Sequence, residues 1–98
     1  YTTANDSQSA SADTIADFVS GTDDIGLEIG NTNGKSFSFI GTNAFTTATA
    51  NLIEARQDGR GDVEVDLTNN GSADMLIKFA TSVTLATDGG DFAFTPTV

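Results

Sequence analysis

Asp66-Leu67-Thr68-Asn69-Asn70-Gly71-Ser72-Ala73-Asp74 decides how the chain is read, because an apolar strand pattern flanks it: Val63-Glu64-Val65 before, Met75-Leu76-Ile77 after. Asn70-Gly71 between such segments is the strongest short hairpin signal, since both residues accept the left-handed backbone of a tight turn. The same stretch has a second reading. Oxygen-bearing side chains fall at positions 1, 3, 5 and 9 (Asp66, Thr68, Asn70, Asp74), with glycine at position 6. Hard cations take several oxygens, and a glycine permits the turn that converges them, so the spacing also suits a Ca²⁺ loop. A full EF-hand carries Glu at position 12; Ile77 stands there, which rejects an EF-hand. The hairpin needs no metal. The metal reading makes Asp66, Thr68, Asn70 and Asp74 candidate ligands.

Outward from this hairpin the same alternation recurs. Asp62 to Leu67 places Val63, Val65 and Leu67 on one face, and Ala73 to Phe79 is the strand that returns. Asn51 to Gln57 leads into Asp58-Gly59-Arg60-Gly61, a second hairpin turn, so the segment from Asn51 to Phe79 is expected to pair antiparallel. Earlier, Thr14 to Val19, Asp24 to Ile29 and Ser36 to Ile40 read as short strands, with Ile25, Leu27 and Ile29 sharing a face and Phe37 and Phe39 inward. A short helical turn is expected near Asn43 to Phe45, and Thr46 to Ala50 is a small-residue link. Val83-Thr84-Leu85 and Asp91-Phe92-Ala93-Phe94 read as the last strands before Pro96, which cannot donate to a ladder and suits an edge or terminus. Residues 1–12 are small and polar, an extended lead-in; 13–98 then form a single module. The fold class is all-β: short, mainly antiparallel strands with no amphipathic helix.

The chain has 98 residues, enough for one modest core. Without an initiator Met, and with Tyr1 opening in mid-pattern, it reads as a piece of something longer. Fourteen acids face four basic residues, for a formal charge of −10. That balance disfavours nucleic acid and anionic membranes, both of which need a basic patch, and it suits a cation partner. Self-repulsion is expected to loosen the fold unless cations screen it. No run approaches a membrane span and no signal peptide is visible.

The chain contains no Cys and no His. Disulfides, thiolate metal sites and the usual general base are therefore excluded. A Ser or Thr nucleophile would lack its activating His, and Lys35 and Lys78 are expected to point to solvent. Among so many acids a glycosidase-like carboxylate spacing carries no information. The chain is not expected to be an enzyme. The Phe residues are read as core rather than as a stacking platform for sugars, because most fall at inward positions of alternating strands.

Four segments in order carry a resemblance: DTIADFVSGTDDIGLE (Asp13 to Glu28), FSFIGTNAF (Phe37 to Phe45), GDVEVDLTNNGSADMLIKF (Gly61 to Phe79) and DFAF (Asp91 to Phe94). Together they resemble the C-terminal domain of serralysin-type metalloproteases and related RTX proteins. The chain departs from that pattern at Gly26, where the family usually has Asp, and at Thr68 and Asn70, which remove a charge from any Ca²⁺ site. The nonapeptide repeats of the Ca²⁺ β-roll and the zinc motif of the protease are absent.

The resemblance implies a sandwich-like domain that follows and caps a parallel β-roll. It implies a non-catalytic C-terminal module of a type I secreted, Ca²⁺-dependent bacterial protein, found outside the cell or on its surface. Its partners would be the upstream roll repeats and the type I ABC exporter, which reads an uncleaved C-terminal signal. Asp91-Phe92-Ala93-Phe94 matches the acid-then-apolar form of such signals; the polar tail after it does not. By the same resemblance Asp6 and Asp13 match the acids that help close the last roll turn with Ca²⁺. The alternative reading is a surface module that binds polysaccharide or protein, or a structural spacer of an adhesin or surface-layer protein.

Overall fold

The computed structural model describes residues 1–3, 6–8, 11–47 and 51–98. Parts of the lead-in and of the Thr46–Ala50 link lie outside the described residues. Seven strands follow in order: β1 (Asp13–Ile15), β2 (Ile25–Leu27), β3 (Ser36–Phe39), β4 (Leu52–Gln57), β5 (Val63–Asp66), β6 (Met75–Phe79) and β7 (Phe92–Phe94). No α-helix occurs among the described residues, and the expected turn near Asn43 is a hydrogen-bonded bend, with Asn43 N donating to Ile40 O at 3.3 Å. The fold is all-β.

β4, β5 and β6 form the expected antiparallel meander, in which Ala55 faces Val65 and Val65 faces Met75. The other pairings are parallel. β1 joins β6, β3 joins β4, and β2 joins β7, giving a five-stranded sheet in the order β1-β6-β5-β4-β3 and a separate β2-β7 pair. The expectation of mainly antiparallel strands is corrected to a mixed sheet. Antiparallel neighbours are joined by tight turns that a sequence announces; parallel partners need long crossovers that it does not.

Period-two alternation sends Ile53 and Ala55 of β4, Val63 and Val65 of β5, and Met75 and Ile77 of β6 into one core. Ile25, Leu27 and Ile29 close it from the small sheet, as their shared face predicts, with Phe18 and Leu85. Full burial of a side chain of this size contributes about 1.5–3 kcal/mol, so these residues hold the two sheets together. Phe18 is the one phenylalanine among the buried core residues. Phe37 and Phe39 of β3 instead form a partly buried cluster with β7, Phe37 lying 5.2 Å from Phe92 and 5.6 Å from Phe94 between ring centroids.

Val83-Thr84-Leu85 does not form a strand. Its backbone is satisfied by a side chain: the buried Gln57 amide donates to Val83 O at 2.6 Å and accepts from Leu85 N at 3.2 Å. The amide mimics a neighbouring strand for one residue pair and leaves nothing to extend a ladder. Lys35 also departs from expectation, because its ammonium donates to Leu67 O at 3.0 Å instead of standing free in solvent.

Candidate functional site

The hairpin that joins β5 to β6 is present, built by a different turn from the expected one. The left-handed residues are Asn69 (φ 55°) and Gly71 (φ 87°), with Asn70 between them. Asp66 is fully buried at the end of β5 and organises the loop. Its Oδ1 accepts from Thr68 N at 3.1 Å and Asn70 N at 3.4 Å, and its Oδ2 accepts from Gly71 N at 2.9 Å. Asp74 closes the other end, taking Leu67 N at 2.8 Å, and the Asn70 side-chain oxygen takes Ser72 N at 3.0 Å. The Thr68 hydroxyl lies 3.4 Å from Asp66 Oδ1. The four candidate ligands thus share one loop, with Asp66, Asp74 and Asn70 turned onto backbone N–H groups.

Glu54, not singled out from sequence, belongs to the same region. It faces Asp66 directly across β4 and β5 and is itself 2% exposed. The β3–β4 connection covers it: Thr46 N donates to Oε1 at 2.8 Å and Thr46 Oγ1 to Oε2 at 3.0 Å. Asn69 reaches in from the hairpin and donates to Oε1 at 2.8 Å. A sequence signal exists, since Leu52-Ile53 places apolar residues on both faces of β4 and so marks a strand covered on both sides. One turn of side chains further along, Arg56 bonds Glu64 at 2.5 Å, half-buried, and lies over the Phe45 ring.

Asp6 and Asp13 lie on the exposed surface near Tyr1, beside β6, where Asp13 is level with Ile77. Asp6 Oδ2 accepts from Thr2 N at 2.9 Å and Thr3 N at 3.1 Å; these backbone bonds, Thr2 first, hold its carboxyl below the ordinary value. The Tyr1 phenol is pushed up, first by burial and then by the charge and hydrogen bond of Asp13, with a smaller push from Asp6. Ser7, fully buried, fastens this lead-in to β6: it donates to Leu76 O, accepts from Asp13 N at 2.9 Å, and its carbonyl takes Leu76 N at 3.0 Å.

Asp91, read from sequence as part of an export signal, is a third buried carboxylate. It accepts from Ser20 Oγ at 2.6 Å, Gly21 N at 2.8 Å and Ala86 N at 2.7 Å. Burial raises its pKa, and the bonds from Ser20, Ala86 and Gly21 outweigh burial and hold it below the ordinary value.

Among the described residues no three acids converge as a cation site would require. The hairpin acids Asp66 and Asp74 are turned onto backbone N–H groups of their own loop. Asp6 and Asp13 are both exposed.

The model of the family described as Peptidase M10 serralysin C terminal matches residues 1–89. The chain belongs to this family. Three of the four segments that carried the resemblance lie inside the match, and Asp91 to Phe94 lies beyond it. No curated protein and no solved structure matches the chain. The serralysin C-terminal domain is a non-catalytic module of type I secreted proteins, part of a larger parent chain, in a family associated with calcium-binding proteins in general. No helix among the described residues is long and apolar enough to cross a membrane.

Proposed function

We propose that this serralysin C-terminal domain caps a parallel β-roll contributed by the preceding part of its parent chain, and presents the segment read by a type I ABC exporter. One observation carries the capping reading. Tyr1 lies along the free edge of β2, its nitrogen donating to Gly26 O at 2.6 Å and its oxygen accepting from Glu28 N at 2.8 Å. A residue that bonds the positions before and after its neighbour is in parallel register. Chain arriving at Tyr1 is thus oriented for a parallel stack, and β2–β7 and β1–β6 use the same pairing. On its other side β2 pairs with β7, the last strand of that small sheet, so a stack entering at Tyr1 ends there.

Asp6 and Asp13 are the residues through which Ca²⁺ of the parent would reach this domain, with oxygens of the preceding roll completing the set. Binding to the folded form alone would favour folding by mass action where Ca²⁺ is plentiful, outside the cell. The exporter reading rests on Asp91-Phe92-Ala93-Phe94 and requires the segment to be read unfolded. In the folded domain Asp91 is buried and Phe92 and Phe94 pack on Phe37.

The test is deletion of these residues from the parent protein. Loss of secretion, together with an aggregating or protease-sensitive roll in the purified truncated parent, is the expected result. Unchanged secretion and an intact soluble roll would overturn the proposal. Replacing Asp6 and Asp13 by Asn in the parent should weaken the Ca²⁺ dependence of its melting; an unmoved dependence would remove the Ca²⁺ part alone.

A further inference from the structure

We propose that the cleft between the end of β3 and the Val83–Thr87 segment binds a neutral oligosaccharide, a role that stands independently of roll capping. The cleft has a volume of about 490 Å³ and is lined chiefly by Phe39, Thr42, Asn43, Thr84, Leu85 and Thr87. That volume lies within the roughly 300–1,000 Å³ of small-molecule sites. Its lining contains no charged side chain, although the chain carries fourteen acids and four basic residues. The hydroxyls of Thr42, Thr84 and Thr87 and the amide of Asn43 have no hydrogen-bond partner among the described residues. Three hydroxyls and one amide beside the partly buried Phe39 supply both donors and acceptors for sugar hydroxyls, with Phe39 as the apolar wall for the face of a sugar ring.

Both walls are fixed before any ligand arrives. On one side Ile40 N donates to Ala55 O at 2.9 Å and Gln57 N to Gly41 O at 2.8 Å, tying the Ile40–Asn43 turn to β4. Arg56 adds bonds to Thr42 O at 3.1 Å and Asn43 O at 2.8 Å from behind. On the other side the Gln57 amide holds Val83 and Leu85, and Asp91 holds Ala86. A cleft with walls already ordered loses little entropy on binding. Charge selects the ligand class. A net charge of −10 repels polyuronates and sulfated glycans, and no cationic side chain lines the cleft to recover them.

The experiment screens the chain against an array of neutral and acidic oligosaccharides and titrates the strongest neutral binder into isotope-labelled protein by NMR. Saturable amide shifts confined to Ile40–Asn43 and Val83–Thr87 are expected. Asn43→Ala and Thr84→Val should each weaken binding by roughly three- to tenfold, the loss of one hydrogen bond to a neutral partner, with the melting temperature held. No saturable binding of any neutral oligosaccharide on the array overturns the proposal. So does binding that maps outside the cleft, or acidic oligosaccharides binding as tightly as neutral ones. Failure of the roll-capping test leaves this result unaffected, which keeps the two readings distinguishable.

Discussion

Glu54 and Asp66 stand opposite one another on β4 and β5, two carboxylates in direct cross-strand register and both essentially excluded from solvent. Like charges so placed oppose the fold. Each remains because donors surround it: Thr46 and Asn69 on Glu54, and the amides of Thr68, Asn70 and Gly71 on Asp66. Replacing either carboxylate by its amide has two consequences, loss of the bonds to one of its two oxygens and relief of the repulsion. Glu54→Gln and Asp66→Asn are each expected to destabilise by about 1–3 kcal/mol in urea unfolding, because buried donors lose an acceptor. The relief is available only once. The double variant is therefore expected to be less stable than the sum of the single losses, by about 0.2–1 kcal/mol. A double variant less damaged than the sum would show that the two carboxylates do not repel.

Asp91 gives the domain an acid limit. Its folded-state pKa lies below the ordinary value, so it contributes stability above the unfolded-state pKa of about 3.9. That contribution is lost as pH falls through the folded value. Thermal melts between neutral pH and about pH 3 should show a steep fall below pH 4 that is shallower in Asp91→Asn. Asp6 is shifted the same way by Thr2 and Thr3, and its exposure makes its share the smaller one. An Asp91→Asn variant that keeps the full acid slope would assign that slope to other carboxylates.

The turn glycines separate backbone strain from crowding. Gly71 and Gly21 have nearly the same left-handed φ, 87° and 84°. A Cβ on Gly71 would stand 3.1 Å from Thr47 Cγ2, whereas one on Gly21 meets nothing within 4 Å. Gly21→Ala should cost about 1–2 kcal/mol, the penalty of the left-handed conformation alone. Gly71→Ala should cost more, and Thr47→Ser, which removes the obstructing methyl, should bring the two into line. Equal losses in the wild-type background would show that the hairpin relaxes freely away from Thr47.

The meander was legible because its information is local. Val63-Glu64-Val65 and Met75-Leu76-Ile77 alternate around a turn cluster, and their pairing follows from the chain's own path. The parallel pairs were not legible, since nothing in Asp13-Thr14-Ile15 names Ile77 as the partner of Asp13. The Asp66–Asp74 stretch was correctly located yet open in meaning. Acceptors spaced to converge on a cation are also spaced to converge on backbone N–H groups, and side-chain identity does not distinguish the two. Glu54 was missed because a carboxylate in an alternating strand reads as outward, and here the outward face is roofed by the Thr46 segment.

Val83-Thr84-Leu85 has the β-propensity of a strand, and Gln57 explains why it is not one. A single buried amide takes the Val83 carbonyl, the Leu85 N–H and the Gly61 carbonyl, at 2.6, 3.2 and 2.9 Å. Replacing it by Leu conserves bulk and removes all three bonds. The buried Leu85 N–H then has no acceptor, and a loss of about 1–3 kcal/mol is expected. Hydrogen exchange gives the more specific reading. The Leu85 amide should lose its protection in Gln57→Leu, while Val65 and Met75 in the meander exchange only as much faster as the global stability loss requires. Gln57→Glu keeps an acceptor for Leu85 and loses both donations, so Leu85 should stay protected relative to Gln57→Leu. If Leu85 remains fully protected in both variants, Gln57 does not hold the segment, and its place in the fold is secured by the burial of the Leu85 side chain instead.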